Sequence, residues 1–83
     1  MRVTNEYYLK PKGSQKSFGG KAVVKEYENG DRILFSYLTP VLKQTKEGKL
    51  IRLWDGYSAT TGRHVASFAG ITGHYFKNME VIK

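Results

Sequence analysis

The sequence predicts an α+β fold: a small twisted antiparallel sheet of four to six short strands, with one helix packed across one face. Three observations predict it. Runs rich in Val, Ile, Leu, Tyr and Phe alternate with turn residues as far as Trp54, the pattern of successive hairpins. Asn29-Gly30 separates two of these runs, a strong short-range hairpin signal. Residues 58–70 alone combine a capping serine, helical apolar spacing and a terminal glycine.

Taken in order, residues 3–9 form a first strand that Pro11 ends. Residues 10–21 then hold four lysines, three glycines, two serines, no acid and a single aromatic, Phe18. Such a composition buries too little apolar surface to offset its ordering entropy, so a mobile basic loop is expected within the single domain of residues 1–83. Residues 22–27 and 32–38 pair around Glu28-Asn29-Gly30-Asp31, with positive φ expected at both Asn29 and Gly30. Pro40 cannot donate to a ladder, so Thr39-Pro40 marks a corner, a bulge or an edge. Residues 41–44 and 50–54 bracket a second hairpin turn at 45–49. Strand alternation sets Ile51 and Leu53 on one face, expected in the core, and leaves Arg52 with Leu50 and Trp54 on the other.

Asp55-Gly56 turns the chain, and Ser58 is placed to cap a helix that starts at Ala59. Val65, Phe68 and Ala69 share one side with Thr61 and Gly62. Gly62 costs about 1 kcal/mol relative to alanine in a helix interior, which implies close packing against a strand or an aromatic ring. Gly70 supplies the left-handed stop. The last apolar run, residues 79–82, is expected as a strand returning to the sheet.

Eighty-three residues without cysteine exclude a disulfide framework and a thiolate metal site. The core must come from apolar side chains, to which six Tyr, four Phe and one Trp contribute large areas. A core this thin leaves room for a homodimer. The formal charge of +7 favours acidic partners, nucleic acid first and an acidic protein surface second. No apolar run approaches the roughly 20 residues of a membrane span. The N-terminus lacks the apolar stretch of a signal peptide, so a cytoplasmic location is expected.

Catalytic patterns are weak. His64 with Ser58 or Ser67 and Asp55 has no nucleophile elbow around it. His64 and His74 lack further ligands at metal spacing, the acids are scattered, and Gly19-Gly20-Lys21 is too short for a phosphate loop. No catalytic residue, metal site or cofactor is expected. Ser58, Thr60 and Thr61 at the helix start offer an anion contact, although capping is the commoner role of such hydroxyls. The remaining signal is basic residues among aromatics. Lys10, Lys12, Lys16 and Lys21 with Phe18 lie on the loop, and Arg32, Arg52 and Arg63 on structured elements. Tyr7, Tyr8, Trp54, Tyr57 and Tyr75 are further stacking groups. Sheet-based single-strand binders use this combination.

The run Ser36-Tyr37-Leu38-Thr39-Pro40-Val41, then Tyr57-Ser58-Ala59-Thr60-Thr61, Arg63-His64 and Phe68, resembles small phage and prophage proteins of Gram-positive bacteria. These carry an SY-x-T-x-V strand and a YS-x-TT-x-x-H-x-x-F helix. The resemblance covers residues 36–69, about 40% of the chain, and leaves out the basic first 25 residues. It implies a phage origin and action in the host cytoplasm, and brings no catalytic residues. The expected function is therefore a non-enzymatic accessory protein that binds nucleic acid or a host nucleoprotein complex through its basic surface. The alternatives are an inhibitor of a host defence system, such as an anti-CRISPR factor, docking on an acidic host protein, and a minor structural or assembly protein.

Overall fold

The computed structural model describes residues 2–10 and 20–82. Five strands form one antiparallel sheet in sequence order: β1 (Val3–Tyr8), β2 (Ala22–Tyr27), β3 (Arg32–Ser36), β4 (Thr39–Gln44) and β5 (Leu50–Arg52). Two helices follow, α1 (Ala59–Ala69) and α2 (Gly73–Lys77), and both pack on the same face of the sheet. The α+β class is as expected, with a second helix added.

The hairpin turns differ in mechanism. At 27–31, Gly30 N–H donates to the Tyr27 carbonyl and only Gly30 has positive φ, +93°. At 45–49, Gly48 N–H donates to the Thr45 carbonyl with Gly48 at +90°. Both are type I turns followed by one left-handed glycine, not the two-residue turn expected at Asn29-Gly30. The two-residue form occurs instead between β3 and β4. There Tyr37 and Leu38 take φ of +53° and +72°, without a glycine or asparagine to ease it.

Pro40 lies at a bulge. Leu34 pairs with Leu42 but Phe35 pairs with Pro40, so Val41 is the extra residue. The bulge breaks strict alternation and lets the consecutive Val41 and Leu42 both become fully buried.

The core combines Ala22, Val24, Leu34, Val41 and Leu42 from the sheet with Val65, Phe68 and Phe76 from the helices. Helix α1 follows its sequence signals: Ser58 Oγ accepts from Thr61 N–H, and Gly70 ends it at φ +74°. Gly62 meets both Tyr57 and the second helix. A Cβ there would stand 2.9 Å from the Tyr57 hydroxyl and 3.4 Å from Gly73 Cα.

Strand β5 reverses the expected faces. Arg52 is only 5% exposed, and Leu50 and Trp54 pack on the core beside it. Its guanidinium donates to the carbonyls of Trp54, Gly56, Lys77 and Met79 and lies 4.5 Å from the Phe76 ring centre. Alternation alone favours burying Ile51 and Leu53. Four carbonyls, two of them delivered by the C-terminal segment, overrule it by accepting charge-assisted hydrogen bonds from the buried cation.

The C-terminal segment also departs from expectation. Residues 73–77 are helical, capped by Thr72, whose hydroxyl accepts from Tyr75 N–H at 3.0 Å. The returning run contributes one parallel bridge, Arg52 with Val81, in place of a full strand.

Candidate nucleic-acid interface

Two surfaces collect the polar and aromatic groups that the fold leaves outside its core. The first is the sheet end formed by the start of β2, the β3–β4 turn and the start of α1. Lys10 and Lys21, at the two roots of the lysine-rich segment, are exposed. Tyr37 N–H donates to the Lys21 carbonyl at 2.9 Å, and the Lys21 ammonium lies 5.6 Å from the Tyr37 ring centre. Tyr37 is 53% exposed and Leu38 90%, so a strained turn displays two large apolar side chains to solvent.

Beneath that turn lies His64, fully buried, its Nδ1 2.8 Å from Ser36 Oγ. Ser36 Oγ also approaches Thr61 Oγ1 at 3.4 Å, and Ser58 Oγ donates to Thr61 Oγ1 at 3.1 Å. Of the hydroxyls predicted to greet an anion, those of Ser58 and Thr61 are thus bonded to each other. Ser58 caps the helix, Thr61 is 2% exposed, and Thr60 is half-buried. His64 thus pairs through Nδ1 with Ser36 on β3.

Burial first, then the charge of Lys21, holds the His64 imidazole below its ordinary value of 6.5. The unfolded chain protonates near that value, while the folded chain resists until lower pH. The stability that neutral His64 contributes is therefore complete above pH 6.5 and declines as pH falls through the folded value. The expected slope is at most about 1.4 kcal/mol per pH unit. Urea midpoints measured from pH 7.5 downward should show this decline for the native chain and a flatter profile for His64→Gln. Parallel profiles would remove His64 as the cause.

The second surface is the sheet face turned away from the helices. Register aligns Tyr8, Val23, Phe35 and Pro40 across four strands, and Glu6, Lys25, Ile33, Lys43 and Ile51 in the next row. Tyr8 is 70% exposed and the central residues of both rows are half-buried. The Lys25 ammonium sits 4.7 Å from the Phe35 ring centre and 3.8 Å from Glu6. Further along, Tyr27, Asp31, Ile33 and Lys43 line a shallow depression of about 180 Å³. Asp31 ties the two neighbouring turns together, accepting from Asn29 Nδ2 at 3.0 Å and Lys46 N–H at 3.3 Å, with Lys43 Nζ at 3.2 Å. The Asn29 bond leads in lowering its carboxyl below the ordinary value, with Lys43 and Lys46 adding to it against the effect of burial.

The predicted basic residues divide. Lys10 and Lys21 share the sheet end, and Arg63 is exposed on α1. Lys12, Lys16 and Phe18 lie outside the described residues. Arg32 and Arg52 point into the helix-covered side and act within the fold. Arg32 donates to Gln44 Oε1 and to Tyr7 Oη and lies 4.6 Å from the Phe68 ring centre. Neither arginine presents a free fork to a phosphate. The sequence reading overlooked Lys25, Phe35 and Lys43, although the alternation of Val23, Lys25 and Tyr27 against Ala22 and Val24 marks that face.

Among the described residues, no group of three or more His, Asp or Glu side chains is placed to hold a metal ion. No helix among them is long and apolar enough to cross a membrane. Comparison with known proteins finds no match among curated proteins or solved structures. One family model, described as a family of unknown function (DUF8033), matches residues 7–80. That span takes in every strand from the end of β1 onward and both helices, and the chain therefore belongs to the DUF8033 family.

Proposed function

We propose that the protein is a non-enzymatic nucleic-acid-binding protein, a phage-type accessory factor acting on nucleic acid or a nucleoprotein complex in the host cytoplasm. The observation that carries this reading is the clustering of Lys10, Lys21 and the exposed Tyr37 at one end of the sheet, at the roots of the lysine-rich segment. The net charge of +7 supports it, since phosphates attract such a surface regardless of sequence. The test is replacement of Lys10, Lys12, Lys16 and Lys21 together by alanine. Each phosphate contact adds about 0.7 to the log–log salt slope for a single strand, so the variant should lose up to about 3 units of slope along with affinity. An unchanged slope would reduce the segment to a linker.

A second reading has its own observation. Leu38, 90% exposed on a turn with unfavourable φ, is the kind of apolar tip that anchors in a protein pocket. It favours an inhibitor of a host defence protein. Such a protein would hold its partner after nuclease treatment, which a nucleic-acid-bridged complex would not survive.

A further inference from the structure

We propose that the helix-free sheet face is a platform for single-stranded nucleic acid, with bases stacked on Tyr8 and Phe35 and phosphates held by lysines at its two ends. The inference rests on the nucleic-acid reading above and adds to it a site and a substrate class.

The register places Tyr8 and Phe35 on either side of Val23 in one row. Two strand spacings set them about 10 Å apart, with only the short Val23 between. Tyr8 is 70% exposed, on the outermost strand, where a base can reach its ring. Phe35 lies on the central strand with the Lys25 ammonium over its ring, 4.7 Å from the centre, so a base stacks there as Lys25 swings aside towards a phosphate. Past Ile33 the face continues to the depression of about 180 Å³ lined by Tyr27, Asp31 and Lys43. Exposed Lys10 and Lys21 lie at the Tyr8 end, and exposed Lys46 and Lys49 follow β4 at the other.

Charge decides between the two occupants that such a half-apolar face could take. A second copy of the chain would bring the same net +7 against it, whereas a nucleic-acid strand brings one negative charge per nucleotide. Stacking decides between single and double strands. A ring lying on a sheet can receive only an unpaired base, because a duplex hides the base faces within its own stack.

The experiment measures binding of the full chain to a fluorescent single-stranded oligonucleotide and to the duplex of the same sequence, for the native chain, Tyr8→Ala and Lys25→Ala. Tyr8→Ala is expected to weaken single-strand binding by about 5- to 150-fold, the effect of losing one stacked base, with duplex binding and the salt slope unchanged. The exposed Tyr8 lies outside the buried core, and an unchanged circular dichroism spectrum checks that the variant folds. Lys25→Ala should weaken single-strand binding less and lower the salt slope. Equal single-strand binding by the native chain and Tyr8→Ala overturns the platform, while the lysine-segment reading survives if its quadruple variant still loses affinity. Absence of binding to either oligonucleotide overturns both. A dimer of the native chain that Tyr8→Ala dissociates overturns the platform in favour of self-association.

Discussion

Arg52→Ala is expected to destabilise the domain by about 3–5 kcal/mol, since each charge-assisted hydrogen bond contributes roughly 1.5–3 kcal/mol and water recovers part of the loss. For a domain at the low end of the usual range of roughly 5–15 kcal/mol, such a loss would leave much of the chain unfolded at 37 °C. One guanidinium fixes four carbonyls, of Trp54 and Gly56 after β5, of Lys77 at the end of α2 and of Met79 beyond it. It thereby ties the C-terminal segment to the sheet, next to the bridge that Val81 makes with Arg52. Arg52→Lys keeps the charge but not the planar fork, so it should recover little. Urea unfolding followed by circular dichroism measures both variants. Midpoints equal to that of the native chain would show that the bonds contribute nothing net.

Replacing Tyr37-Leu38 by Asn-Gly is expected to stabilise the domain by about 2 kcal/mol, because left-handed backbone costs an ordinary residue roughly 1–2 kcal/mol. The thermal midpoint should then rise by about 10 °C. Both residues have positive φ in a two-residue hairpin turn, the conformation for which Asn-Gly is preferred. Residues held in this way persist where function requires their side chains. The double variant should consequently be more stable and bind its partner less well, if Tyr37 or Leu38 touches that partner. A lower thermal midpoint would mean that the turn is not strained.

The fold class was legible because hairpin periodicity and helix caps are local. Ser58, Gly62 and Gly70 each announce a role that depends on neighbours a few residues away, and each performs it. The turn at Tyr37-Leu38 carries no glycine or asparagine, so its reversal comes from the pairing of β3 with β4 and not from local preference. Arg52 was misread because alternation weighs side chains by hydropathy. Its partners are backbone carbonyls 25 and 27 residues away, which no pattern in β5 reveals. The same limit applies to α2, whose Gly73 and His74 are poor helix formers held by the burial of Phe76. Of the candidate site, the lysines were legible by composition. The pairing of Tyr8 with Phe35 across Val23 needed the strand register, which emerges only when the sheet is assembled.

The most direct measurement is the affinity of the full chain for a single-stranded oligonucleotide as salt rises from about 50 to 200 mM. A nucleic-acid-binding protein with this charge should give a straight log–log plot with a steep negative slope, one increment for each phosphate neutralised. No binding at the lowest salt, or an affinity that salt leaves unchanged, would contradict it.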